Sequence, residues 1–234
     1  SVLPRVREQH PDAYFLGEVI HGDYAHFVRS STVDSVTQYE LWKATWSGIS
    51  ERNFFELSHA LGRHNEWLDA FVPATFVGNH DVNRIASTID DDRHLIHALV
   101  VLFTIGGTPM IYYGDEQGFR GLKEERVGGD DAVRPEFPMT KDDLAREGWP
   151  TYHRHQELIG LRRRNPWLHD ARTETVELTN TALVYRAHSG DDHLHVVLNL
   201  GDDGVSYRLG GALLAGDATV DGDRVTVSPH GWAI

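Results

Sequence analysis

The chain has 234 residues, of which 40% are hydrophobic and 24% are charged, values typical of a folded globular protein rather than a disordered or collagen-like one. Its formal net charge of -13 would repel polyanions, so neither nucleic acid nor an anionic membrane surface is an expected partner. Cysteine is absent, which excludes disulfides, thiolate metal sites and cysteine nucleophiles.

Hydrophobic periodicity and turn residues divide the first part of the chain into alternating strands and helices. In chain order, the pattern first predicts the end of a helix within residues 1–13, a strand over 14–19 and a weaker strand over 35–39. A helix over 51–71 with Ser50 as its N-cap and a strand over 74–78 follow. The pattern then predicts a helix over 91–105, a strand over 109–113, a loop over 118–150 and a helix over 151–164. Strands that alternate with helices predict a parallel sheet with right-handed crossovers.

The pattern changes near residue 170. Short β runs follow at residues 182–188, 193–200 and 205–209, and Asp221-Gly222 marks a hairpin between two more. We therefore predict two domains, an α/β domain over residues 1–170 and a small all-β domain over residues 171–234.

Three of the four predicted parallel strands end in polar clusters. These clusters are Gly17-Glu18, Asn79-His80-Asp81 and Gly114-Asp115-Glu116. Ligands bind at the carboxyl ends of parallel strands. Three polar clusters at equivalent strand ends therefore favour a functional site over a purely structural role, in which the acids only cap loops.

The segments around these clusters are similar to three ordered motifs of the α-amylase family, glycoside hydrolase family 13. The segments are Phe15 to Val19, Phe76 to Arg84 and Gly107 to Glu116, which resemble the family's fifth, seventh and eighth barrel strands. The resemblance implies a fold of class α/β, the C-terminal half of a (β/α)8 TIM barrel (strands five to eight), followed by a small antiparallel β-sandwich.

The same resemblance implies roles for individual residues. Glu18 matches the general acid/base, and Asp81 matches the carboxylate that stabilises the transition state. The expected substrate-binding residues are Asn79, His80, Arg84, Asp115 and Arg134. A retaining glycosidase acts through an acid with a raised pKa and a second carboxylate as nucleophile, and the expected substrate is an α-glucan or maltooligosaccharide.

The family's nucleophilic aspartate has no counterpart here, because it belongs to the fourth strand and nothing before Tyr14 matches that motif. Asp23 and Asp34 have no family counterpart either. We therefore expect the chain to be part of a longer polypeptide or to pair with a separate N-terminal barrel half, and to be inactive alone. Ile20 also departs from the family, in which an aromatic residue often follows the acid/base. The sequence therefore does not determine the subsite that binds the leaving group, nor the exact substrate.

Two other functions remain open at this stage. The first is a non-catalytic carbohydrate-binding or interaction module. The second is a metal protein built on the 15 histidines, of which three pairs lie at short spacing: His94 with His97, His153 with His155 and His193 with His195. No acid or cysteine stands at a recognisable interval from these pairs, so we expect no metal site and no cofactor.

Calcium binding, common in the family, would depend on segments outside this sequence.

Overall fold

The computed structural model describes residues 2–234 and contains seven α-helices and eleven strands within them. The helices are α1 (Leu3–Gln9), α2 (Tyr24–Ser31), α3 (Tyr39–Ser50), α4 (Phe54–Leu68), α5 (Ile85–Thr88), α6 (Leu95–Thr104) and α7 (Trp149–Arg164). The strands are β1 (Leu16–Gly17), β2 (Ser35–Val36), β3 (Ala74–Phe76), β4 (Thr108–Met110), β5 (Arg172–Leu178), β6 (Ala182–Ser189), β7 (Asp192–Asn199), β8 (Val205–Arg208), β9 (Ala218–Asp221), β10 (Arg224–Val227) and β11 (Trp232–Ala233). Over these residues, every helix is too short or too polar to cross a membrane.

The first four strands run parallel, as the alternating pattern predicts. β1 pairs with β2, and β3 pairs with β4. A parallel bridge between Thr37 and Ala74 joins the two pairs, and the Gln38 amide donates to the Ala74 carbonyl at 2.9 Å. The strands thus follow one another in the order β1-β2-β3-β4, and among the described residues no contact closes β4 onto β1.

The helix predicted over residues 51–71 is shorter at both ends. Ser50 is not its N-cap: it is the last residue of α3, and its hydroxyl donates to the Thr88 carbonyl at 2.9 Å. The chain breaks between the two helices at Arg52, which has a positive φ of 50°. Asn53 caps α4 instead by accepting a hydrogen bond from the Phe55 amide. The prediction missed both α3 and α2.

The helix α6 is the most buried helix of this part, and eight of its ten residues are buried. It ends at Thr104, just before Gly106 and Gly107, the glycines that were predicted to stop it. A side chain at position 106 would place its Cβ 2.3 Å from the Ala171 carbonyl oxygen, and Gly107 has a φ of 118°. Glycine is therefore required where the chain turns from α6 into β4.

The strands from β5 onward are antiparallel and form two sheets, in the orders β11-β7-β6-β5 and β8-β10-β9. Val184 and Val197 of the first sheet pack with Val225 and Val227 of the second. The larger hydrophobic core runs without a break from α4 and α6 into β6 and β7. The β strands thus rest against the helices of the first part. The strand β5 was absent from the sequence prediction.

Candidate active site

The polar clusters that end the parallel strands lie at the same edge of the sheet. Glu18 follows β1, Asn79 and Asp81 follow β3, and Asp115 follows β4. The carboxyl ends of parallel strands face one side, so these groups share the position at which such sheets bind ligands.

A chain of hydrogen bonds connects Glu18 with the backbone of Asp81. The Tyr39 hydroxyl donates to Glu18 Oε1 at 2.7 Å and accepts from Asn79 Nδ2 at 2.7 Å. Asn79 Oδ1 in turn accepts from the Asp81 amide at 2.8 Å. We call Glu18, Tyr39, Asn79 and Asp81 the Glu18 network.

Tyr39 is the member of this network that the sequence analysis missed, because the residue was assigned to the end of the second strand. It is the first residue of α3, and its ring is buried against Trp42 and Phe76, with centroid distances of 5.6 and 4.9 Å. Burial, followed by the hydrogen bond to Glu18, raises the pKa of Tyr39 to about 12. The phenol therefore stays protonated at neutral pH and acts as a hydrogen-bond donor.

Asp81 is held by two cations from the long loop after β4. Lys123 Nζ lies 2.5 Å from Asp81 Oδ1, and Arg134 Nη2 lies 3.7 Å from the same oxygen. The Lys123 ammonium lowers the pKa of Asp81, so this carboxylate is ionised at neutral pH. Arg134 also donates from Nε to the His80 carbonyl at 2.8 Å. Lys123 was missed because no periodic pattern marks it within the loop.

Arg84 and Asp115 differ from the expectation that they contact substrate. Their side chains are almost completely buried and form an ion pair of 2.9 Å between Arg84 Nη1 and Asp115 Oδ1. The guanidinium lies over the Tyr112 ring at 4.2 Å and donates to the Tyr113 carbonyl at 2.6 Å. Burial raises the pKa of Asp115 to about 6, against the opposing effect of Arg84. The pair is enclosed by the protein and is not exposed to solvent.

The remaining predicted residue, His80, is exposed beside Asp81. Of the two acids without a family counterpart, Asp23 caps α2 by accepting from the His26 amide at 2.8 Å. Asp34 Oδ2 accepts from the Phe15 amide at 2.6 Å and from Arg7 at 2.8 Å. Both acids are thus engaged in local structure and do not belong to the Glu18 network.

Over the described residues, the side chains whose positions suit a metal ion are Asp91, His94 and His230, which lie outside the Glu18 network. The short-range histidine pairs of the sequence analysis do not form this group, because His230 comes from a distant part of the chain.

Known proteins resemble this chain over most of its length. The family model for the α-amylase catalytic domain matches residues 3–190. A maltogenic α-amylase of Bacillus acidopullulyticus is 29% identical over 214 residues, which cover 85% of this chain and 34% of the relative. A cyclomaltodextrin glucanotransferase of Geobacillus stearothermophilus is 30% identical over 195 residues, which cover 80% of this chain and 25% of the relative.

The crystal structure of an α-amylase from H. orenii superimposes with a TM-score of 0.78 at 20% identity and covers 98% of this chain and 54% of its own. The chain thus spans about a third of the length of the first of these relatives and about half of this structure. The match of the family model to residues 3–190, with the likeness of fold, shows that the chain belongs to the α-amylase family, glycoside hydrolase family 13.

Proposed function

We propose that this chain supplies the acid/base half of a retaining glycoside hydrolase or transglycosylase that acts on α-linked glucose oligomers. Glu18 protonates the leaving glycosidic oxygen and then activates the acceptor. Asp81 binds the sugar hydroxyls at the cleavage subsite, with Asn79, His80 and Arg134 beside it. Arg84 and Asp115, which are buried, hold the ends of the strands in place.

The observation that carries the proposal is the hydrogen-bond chain of the Glu18 network. It fixes the Glu18 carboxyl and the Asp81 backbone relative to each other, although the two residues are on different strand ends. Catalysis by a positioned acid requires this kind of restraint, because small displacements of the reacting groups cost large factors in rate. A side-chain acid in place contributes roughly 10²–10⁴-fold.

The nucleophile of the reaction comes, in this proposal, from outside these residues. A retaining mechanism needs a second carboxylate about 5–5.5 Å from the acid, and both Asp23 and Asp34 are engaged elsewhere. We assign β1 to β4 to barrel strands five to eight, and residues 171–234 to the C-terminal β domain. Apolar side chains along the outer strands support a missing half: Leu16 and Ile20 near β1 are 40% and 57% exposed, and Ile111 after β4 is 40% exposed.

The substrate class rests on the relatives, which are named for maltogenic, cyclomaltodextrin and 4-α-glucan reactions. Whether water or a second sugar accepts the glycosyl group differs among them. The proposal therefore extends to α-glucans and maltooligosaccharides as substrates, and to both hydrolysis and transfer.

The test compares Glu18→Gln with wild type in a protein that carries the complete barrel. Turnover of maltotriose should fall by roughly 10²–10⁴-fold, while a glycoside with an activated aryl leaving group, which needs no protonation, should still form the glycosyl-enzyme. Glu174→Gln, at an exposed position of β5, is the matched control and should have wild-type rates. Wild-type turnover of maltotriose by Glu18→Gln would refute the assignment.

The alternative, a non-catalytic carbohydrate-binding module, is favoured by one observation: Asp81, Lys123 and Arg134 form a charged, half-exposed cluster that could bind sugar hydroxyls without a nucleophile. Calorimetric titration of this chain alone with maltotriose distinguishes the two. A module would bind maltotriose with an affinity that Glu18→Gln leaves unchanged and Asp81→Asn weakens. Absence of binding by the chain alone would count against the module.

A further inference from the structure

Two parts of the chain meet at the start of α6, where Asp91 and His94 face His230 from the turn before β11. Asp91, His94 and His230 each offer one ligand atom, and these three atoms lie within 4.8 Å of one another. We propose that these residues form a binding site for a first-row divalent cation of the zinc type, which fastens the β strands to α6. The site is independent of the proposed glycosidase function.

The distances between the ligand atoms are close to those of a metal centre. His94 Nε2 lies 2.9 Å from His230 Nδ1 and 4.0 Å from Asp91 Oδ2. Zinc binds nitrogen and oxygen at about 2.0–2.2 Å in tetrahedral geometry, which sets neighbouring ligand atoms about 3.3 Å apart. To reach that spacing, the His94–His230 distance would lengthen from 2.9 Å and the His94–Asp91 distance would shorten from 4.0 Å.

His230 is oriented as a metal-binding histidine is. Its Nε2 lies 3.0 Å from Asp202 Oδ1, so the proton of the neutral ring belongs on Nε2 and is donated to that carboxylate. The lone pair of Nδ1 then points towards His94. A carboxylate that fixes the far nitrogen of the ring is the usual outer partner of a metal-bound histidine.

The His94 and His230 rings are joined by one hydrogen bond. In the metal-free protein the His94 Nε2 proton bridges to His230 Nδ1; when a metal binds, that proton moves to the other nitrogen of the His94 ring. Two imidazole nitrogens and one carboxylate oxygen form a donor set that suits zinc.

Two arginines contact carboxylates of the site, and a cation would have to displace them to bind. Arg93 donates to both carboxylate oxygens of Asp91, from Nε to Oδ1 at 2.9 Å and from Nη2 to Oδ2 at 2.6 Å. Arg52 Nη1 lies 3.9 Å from Asp202 Oδ2. The Arg93 and Arg52 side chains are 58% and 43% exposed, so each can move into solvent when a cation takes its place beside the carboxylate. Asp90 and Asp92 add negative charge beside the site.

The site opens onto a cavity through which an ion can enter. Asp91 and His94 line an open polar cavity of about 690 Å³, which Asp90, Asp92 and Arg120 also line. Water from this cavity can complete a tetrahedral shell around the ion.

The test is calorimetric titration of the chain with ZnCl₂ after treatment with EDTA, at neutral pH. We expect one tight equivalent of zinc and a rise in Tm on binding, because a ligand that binds only the folded state stabilises it. In His230→Gly the affinity should fall at least tenfold. Position 230 has a φ of 56°, which glycine adopts freely, so this variant keeps the backbone.

His193→Ala is the matched control, since His193 and His195 also lie close together, with a centroid distance of 5.7 Å, but without a carboxylate partner in the same group. It should keep the tight equivalent. Asp91→Asn is a second variant at an accessible position and should weaken binding as His230→Gly does. The proposal is overturned if wild type takes up no stoichiometric zinc, or if His230→Gly and Asp91→Asn bind as wild type does.

Discussion

The Tyr39 hydroxyl donates a 2.7 Å hydrogen bond to Glu18 Oε1, and it is itself the acceptor of a hydrogen bond from Asn79. With Glu18 as the proposed acid/base, we predict that Tyr39→Phe, in a protein with the complete barrel, lowers kcat for maltotriose about tenfold with little change in KM. The ring still packs on Phe76, but Glu18 loses the bond that fixes its carboxyl, and misplacement of an acid acts on the transition state more than on binding.

The control for this prediction is Tyr14→Phe, which removes the hydroxyl of an exposed tyrosine just before β1. Steady-state kinetics of the two variants should differ, with Tyr14→Phe at wild-type rates. Equal kcat values for Tyr39→Phe and wild type would show that Tyr39 is not needed to position Glu18.

The ion pair between Lys123 and Asp81 leads to a prediction for the pKa of Asp81. The Lys123 ammonium lowers the pKa of Asp81, so Lys123→Met should raise it towards the ordinary aspartate value of about 3.9. Titration of the Asp81 carboxyl carbon by NMR measures the shift. Lys141→Met, at another exposed loop position, should leave the Asp81 titration unchanged.

The sign of the stability effect follows from the same pair. A carboxylate with a depressed pKa stabilises the fold above its ordinary pKa, and this contribution is lost as the pH falls through the native value. Because the Asp81 side chain is 40% exposed, solvent screening keeps the contribution at or below about 1 kcal/mol. An unfolding free energy that drops by several kcal/mol in Lys123→Met would contradict the surface nature of this pair.

The buried Arg84–Asp115 pair leaves no space for a side chain at Gly78. A Cβ at position 78 would lie 2.5 Å from Asp115 Oδ2, an atom held in place by the pairing of its carboxylate with Arg84. We therefore predict that Gly78→Ala lowers the free energy of unfolding by about 1–3 kcal/mol, the cost of overpacking a rigid interior. Urea unfolding measures the change.

Gly62→Ala is the matched control, because Gly62 lies within α4 and an added Cβ there meets no atom within 4 Å. The control should raise the free energy of unfolding by about 0.5–1 kcal/mol, the helix preference of alanine over glycine. If Gly78→Ala were as stable as wild type, Asp115 would have to be free to move, contrary to the buried ion pair.

The sequence predicted the features that depend on local pattern. The four parallel strands, the Gly106-Gly107 stop of α6 and the helix ending at Arg164 are marked by apolar runs, glycine or proline close by in the chain. The position of Glu18 and Asp81 after strand ends follows from the same pattern, because the polar cluster that holds each of them comes directly after an apolar run.

Features that depend on distant contacts were not predictable in this way. Arg84 and Asp115 lie within recognisable motifs, but a motif gives a position along the chain and not the burial of a side chain. Lys123 reaches Asp81 from a loop 42 residues later, and His230 meets His94 across 136 residues. No local pattern records such pairings.

His64 gives a prediction for the pH dependence of stability. Burial lowers its pKa to about 4, while the unfolded chain has the ordinary value of about 6.5. Between these values the unfolded state binds more protons, so stability is fully present above pH 6.5 and is lost as the pH falls towards 4. For this one residue, the loss between about pH 7.5 and pH 5 is roughly 2 kcal/mol.

The variant His64→Gln removes this dependence and can keep both contacts of the ring, in which Nε2 donates to the Gly106 carbonyl at 2.9 Å and Nδ1 accepts from Gln38 at 3.4 Å. His59→Gln, at an exposed position of the same helix, is the control. Urea unfolding at about pH 7.5 and pH 5 should show a smaller drop in His64→Gln than in wild type or His59→Gln. His94 and His97, whose pKa values burial also lowers to about 4, keep part of the acid sensitivity in all three proteins. An equal drop in all three would mean that His64 does not change its proton affinity on folding.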